Sequence, residues 1–155
     1  MSKKSLMRNK KTTMGSGKDL LLEISRIAYI QLNPERSKKE KDLVQRIAEH
    51  IDRHLDTDLT LDQLSEEFFT SKYYISHAFK DRFGIPIHQY HIKKRLSACR
   101  DAILVEEKIS EVYSRYGFKD YPGFFRAFKK EYGLSPREYR ENYSIKELLS
   151  ESDAM

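Results

Sequence analysis

The sequence predicts an all-α chain with two helix-turn-helix units bridged by a long connector helix. Three observations carry that expectation. Apolar residues recur at helical spacing in one segment after another. The six Gly and four Pro fall mostly at the ends of those segments, where they punctuate rather than interrupt. One pattern of capped helices then occurs twice in the chain, and a repeat of this kind is hard to explain as chance.

Residues 1–18 carry Lys3, Lys4, Arg8, Lys10, Lys11 and Lys18 with no acid among them. This reads as a disordered basic tail that adds nonspecific attraction to phosphates. It lacks the apolar segment and small-residue cleavage site of a secretory signal. Gly15-Ser16-Gly17-Lys18 is not a phosphate loop: Asp19 stands where Ser or Thr is needed, and the first glycine and preceding strand are missing. Asp19–Leu32 predicts an amphipathic helix with Leu20, Leu21, Ile24, Ile27 and Ala28 on one side. Alone it is too short and too apolar for water, so it is expected to pack on the following domain or form a homodimer through residues 19–32. Asn33-Pro34 and the SKKEK run read as a linker. The organisation is therefore a tail and short linker helix over 1–40, a helical domain over 41–142 and a C-terminal tail over 143–155.

Within the domain, Asp42–Leu55 is a helix with a Leu43, Ile47, Ile51, Leu55 stripe. His50 and His54 are four apart, but no third ligand accompanies them, so no metal site is expected. Thr60 and Gln63 form a capping box, with Leu59 and Leu64 as its hydrophobic staple. That short helix runs through Phe68 and turns at Phe69-Thr70. Ser71 caps the next helix, Lys72–Phe83, which stops at Gly84. Ile75, Phe79 and Phe83 lie along its inner face, leaving Lys72, Tyr73, Ser76, His77 and Lys80 outside. Pro86–Leu104 is long, with apolar residues on more than one side, as a helix bridging two cores requires. Lys93, Lys94 and Arg95 cluster there, suited either to tracking a phosphate backbone or to a solvated face. Cys99, the single cysteine, reads as a small buried apolar residue.

The pattern then returns. FKDRFG at 79–84 matches FKKEYG at 128–133 at an offset of 49, and the preceding helices match at 48, Leu61 with Ile109 and Leu64 with Val112. The one-residue difference predicts a longer turn, through Gly117-Phe118, in the second unit. There Asp120 caps a helix with Pro122 in its first turn. Phe124, Ala127 and Phe128 face inward, while Gly123, Arg126, Lys129 and Lys130 point outward. Gly133 ends the helix and Ser135-Pro136 opens another. Two such helices on one rigid connector suit successive major-groove faces, about 34 Å apart, without requiring a dimer.

Composition bounds the partners. The chain has 155 residues, 34% charged and 39% hydrophobic, with a formal net charge of +5. That balance is compatible with a polyanion. No run approaches the roughly 18 apolar residues of a membrane span. A single cysteine excludes an intrachain disulfide and fits a cytoplasmic setting. No acid pair, nucleophile-base pair or metal set points to an enzyme or a cofactor.

The stretch GFKDYPGFFRAFKKEYGLSPREYR at 117–140, supported by SKYYISHAFKDRFG at 71–84 and by Tyr90, Arg95 and Leu96 in the connector, closely resembles the DNA-binding domain of the AraC (AraC/XylS) family of bacterial transcription regulators. The resemblance covers Leu43 to Arg140. It implies two helix-turn-helix units bridged by a long helix, and sequence-specific binding of double-stranded DNA near promoters, usually activating transcription through RNA polymerase. It places base-reading positions on Tyr73, Ser76 and His77 in the first unit and on Pro122, Gly123 and Arg126 in the second. Arg126 stands where the family commonly has Arg and suits a bidentate contact to guanine. His77 replaces a frequent Arg, implying a weaker or pH-sensitive contact. Gly123 has no side chain to read with, and Phe125 replaces a usual small polar residue. Ser65 and Tyr113 stand where relatives have Ala, and Phe69 where a small turn residue is common. Lys72, Lys80, Lys129, Lys130, Arg137 and Arg140 are the candidates for phosphate contact. Many relatives carry a ligand-sensing domain upstream, so the chain reads as a stand-alone regulator or a truncated member. The competing reading is a protein-interaction module that keeps the fold without specific DNA recognition.

Overall fold

In the computed structural model, residues 17–105, 107–144, 149, 150 and 152 are described. The basic tail before Gly17 and most of the C-terminal tail lie outside them. Among the described residues the regular elements are helices: α1 (Gly17–Leu32), α2 (Pro34–Arg53), α3 (Leu61–Glu67), α4 (Lys72–Phe83), α5 (Ile87–Leu104), α6 (Ile109–Arg115), α7 (Tyr121–Tyr132) and α8 (Pro136–Tyr143). The chain divides into two compact units, residues 1–42 and 43–155. In the first, α1 begins two residues before the expected Asp19, and Leu20, Leu21, Leu22, Ile24 and Ile27 are exposed. The expected linker at Asn33-Pro34 and SKKEK is helical from Pro34 onward. Pro34 occupies the first turn, where a missing N–H is harmless, the Ser37 N–H donates to Asn33 O at 3.1 Å, and the charged residues that follow are good helix formers.

The larger unit holds two cores. Val44, Ile47, Ala48 and Ile51 of α2 pack with Leu64 of α3, Ile75, Ala78 and Phe79 of α4, and Ile87 at the start of α5. Leu96, Cys99, Ala102 and Ile103, further along α5, pack with Val112 of α6 and Phe124 and Phe128 of α7. The connector thus belongs to both cores, as its apolar pattern requires. Cys99 is fully buried, and burial pushes its thiol up to about 12, so it packs as a small apolar residue.

The repeat holds at atomic detail. α3 and α6 have seven residues each, α4 and α7 twelve each, at the offsets of 48 and 49. Ser71 accepts from the Tyr74 N–H, Asp120 from the Gly123 N–H, and both helices end on left-handed glycines, Gly84 at φ 75° and Gly133 at φ 76°. Leu64 and Val112, Ile75 and Phe124, and Phe79 and Phe128 are equivalent and fully buried. The turns match too. Phe69 and Gly117 both have positive φ, 51° and 83°, and the next N–H in each turn, of Thr70 and Phe118, donates to Ser65 O and Tyr113 O. Gly117-Phe118 therefore aligns with Phe69-Thr70, and the residue that lengthens the second turn is Lys119, not the Gly117-Phe118 pair.

Candidate nucleic-acid interface

Each unit presents one capped helix, α4 or α7, whose inner face is anchored by aromatics and whose outer face is polar. On α4, Tyr73 is 75% exposed and its ring lies against His77, with centroids 4.0 Å apart. His77 Nδ1 sits 2.9 Å from the Tyr73 carbonyl. A carbonyl only accepts, so Nδ1 carries the proton, and in the tautomer with no second proton Nε2 is an acceptor. That suits the exocyclic amino groups of cytosine or adenine in the major groove. Ser76 lies half-buried beside them and Lys80 is exposed.

On α7 the outer face is more basic. Arg126, Lys129 and Lys130 are exposed, and no hydrogen bond or ion pair holds Arg126 or Lys130 among the described residues. Pro122 is exposed in the first turn. Gly123 is half-buried beneath the cap: its N–H donates to Asp120 Oδ1 at 2.7 Å, and a Cβ there would meet the same oxygen at 3.0 Å. Its smallness lets the carboxylate close on the helix end. Phe125 lies beside Tyr121, centroids 6.0 Å apart, and Tyr121 is itself partly exposed at the helix entry, a surface aromatic that the sequence reading passed over.

The phosphate candidates divide into three groups. Lys80, Lys129 and Lys130 stand out in solvent. Lys72 is exposed but bonded to Asp62 at 2.7 Å, and Arg137 is paired with Glu141 at 2.9 Å. Such surface pairs are weak in water and exchange readily for a phosphate. Arg140 is different. Its Nε donates to Ile103 O at 3.2 Å and its Nη2 to Glu107 O, carbonyls in the last turn of α5 and just beyond it. Those bonds hold Arg140 half-buried against the end of the connector, unlike the other five candidates, which are exposed.

The basic cluster on α5 resolves in the same way. Lys93 is paired with Glu131 at 2.7 Å and Lys94 with Asp52 at 3.2 Å. Arg95 is only 7% exposed and bonded to the loop after α2, so it does not track a DNA backbone. His50 and His54 stack at 4.2 Å, and no group of three His, Cys, Asp or Glu among the described residues is placed to hold a metal. No helix among them is long and apolar enough to cross a membrane.

Comparison with known proteins agrees with this geometry. A family model described as a helix-turn-helix domain matches residues 64–142, just over half of the chain. A probable transcriptional regulator, LumQ of Photobacterium leiognathi, is 31% identical over 107 residues, covering 68% of this chain and 43% of that protein. Among solved structures, the C-terminal domain of AraT, a response regulator from Geobacillus stearothermophilus, is 32% identical with a TM-score of 0.60, over 64% of this chain and 84% of that one. The fold is also that of the DNA-binding domain of AdpA, solved in complex with a target DNA, at 21% identity and a TM-score of 0.60, over 66% of this chain and 94% of that one. The two units and their connector define a double helix-turn-helix domain. The chain belongs to the AraC-type helix-turn-helix family, whose members are DNA-binding transcription regulators. It spans less than half the length of the curated relatives it matches.

Proposed function

We propose that this protein binds a specific duplex DNA sequence near promoters through α4 and α7 and activates transcription by engaging RNA polymerase, in the cytoplasm and without catalysis or a cofactor. The observation that carries the reading is the duplicated capped helix with an outward polar face, unpaired at Arg126. Tyr73, Ser76 and His77 read bases from α4. Arg126 reads from α7, with Pro122 and Gly123 letting the helix end approach the groove closely. Lys72, Lys80, Lys129, Lys130 and Arg137 neutralise phosphates.

Selection of bound sequences from random DNA by the purified chain tests this directly. A long asymmetric site should emerge. Arg126→Ala should then cost about 1–3 kcal/mol and relax preference at one base pair. Equal loss on every sequence would remove Arg126 from the readers, and failure to enrich any sequence would favour a protein-interaction module instead. The exposed apolar residues of α1 support a second reading at the same time, self-association through residues 19–32, and sizing the selected complex separates one chain per site from two.

A further inference from the structure

The second turn departs from the first at two places, one against Arg95 and the other against its partner Asp58. Where the first unit has Phe69, the second has Gly117, and where the first has no residue at all, the second has Lys119. A Cβ on Gly117 would lie 2.6 Å from the Arg95 guanidinium carbon and 2.8 Å from Leu55 O. Repeating the aromatic of the first copy would close this space. Arg95, from the middle of α5, is pinned there: Nε donates to Leu55 O at 2.5 Å, Nη2 to Thr57 O at 2.7 Å, and both terminal nitrogens to Asp58 Oδ1 at 3.2 Å. The inserted Lys119 reaches the other oxygen of Asp58, Oδ2, at 3.4 Å. One carboxylate from the loop of the first unit is thereby shared between the connector and the turn that leads into α7.

We infer that Arg95, Asp58, Gly117 and Lys119 form an interlock that fixes α7 relative to α4 and so sets the spacing of DNA half-sites the protein accepts. Arg95 is a positioning residue in this scheme: buried away from DNA, it acts through the turn that aims Arg126. An ordinary core contact would hold either helix-turn-helix unit together by itself. These four residues come instead from three segments belonging to different units, and two of them exist only where the repeat is broken. A buried guanidinium bonded to two carbonyls and a carboxylate oxygen resists rotation and shear in a way that apolar packing along a single connector does not.

The inference rests on the two-helix reading above, and one experiment separates the two. The full chain is used to select its optimal DNA, and affinity is then compared on that site and on sites with one base pair inserted between the halves. An insertion turns the second half by about 34°, one step of a 10.5-base-pair turn, and the unmodified chain should lose about tenfold or more. Asp58→Asn, at an exposed carboxylate, and Arg95→Lys should shrink that spacing penalty several-fold while leaving base preferences within each half unchanged. Circular dichroism establishes that the variants fold, and Asp58→Asn carries the test alone if Arg95→Lys does not. An unchanged penalty in a folded variant overturns the interlock and leaves DNA reading intact. A chain that enriches no sequence overturns both.

Discussion

Phe69 is held at φ 51° with its ring 96% exposed, a conformation costly for any side chain with a Cβ and one here compensated by no packing. Its partner in the repeat is a glycine. Phe69→Gly should therefore stabilise the fold by about 1 kcal/mol, the left-handed penalty removed, as a higher denaturation midpoint in urea. If the midpoint falls, the exposed ring has a contact that offsets its strain. His91 makes a second residue-scale case. It is 6% exposed and its Nε2 has no hydrogen-bond partner among the described residues. Burial first, then the Arg95 charge, pull its ring below the ordinary histidine range, against a weaker opposite pull from Asp58 and the main chain of His54 and Leu55. The fold thus favours the neutral ring, and its contribution is complete above the unfolded value of about 6.5 and lost as pH falls below it. The thermal midpoint should drop between pH 7 and pH 5, and His91→Met should flatten part of that drop. His50, lowered mainly by burial, supplies some of the remainder. The Asp58 carboxylate, held low by Arg95 and then Lys119, acts in a separate window at more acid pH.

At the scale of elements, α4 and α7 are held by different chemistry. α4 rests on Ile75 and Phe79 in a mainly aliphatic core. α7 rests on Phe124 and Phe128 in a chain of rings that includes Phe118, Tyr132 and Tyr139. Tyr113, large for a residue at a helix crossing, lies at the edge of this cluster and stacks on Phe124 at 5.9 Å. Phe124→Ala should cost about 3–5 kcal/mol in denaturant unfolding, since neighbouring rings cannot collapse into the space without leaving their own partners. The helix ends were legible in the sequence because caps are local: Thr60 with Gln63, Ser71, Asp120 and Ser135 need only the N–H groups a few residues on. The destinations of long cations were not legible. Arg95 and Arg140 find carbonyls nearly forty residues away, and nothing local distinguishes them from Arg126 or Lys130, which stay in solvent. The sequence did hold one clue, the glycine at 117 opposite an aromatic at 69, but its reason needs the folded neighbour. The helical stretch from Pro34 was missed for a related reason: a charged run after Asn-Pro resembles a linker until its hydrogen bonds are seen.

For the molecule as a whole, the proposed interface is electrostatic before it is specific. Lys72, Lys80, Lys129, Lys130 and Arg137 lie on or beside α4 and α7, so binding through these helices should weaken steeply with salt. Lys129→Ala should lower affinity on all sequences alike and reduce the slope of log affinity against log salt by about one. Arg140→Ala should leave that slope unaltered and lower thermal stability instead, which separates a phosphate contact from a clamp.

The connector adds a constraint on how such a protein can change over generations. α5 runs unbroken from one core into the other, so it behaves as a geared shaft between two reading heads. Each residue of an α-helix advances about 1.5 Å and turns about 100°. A single insertion in α5 would swing the second head to another side of the DNA, whereas adding a near-whole turn would keep it in phase and merely lengthen its reach. Changes of target length along this helix are therefore quantised by its turn.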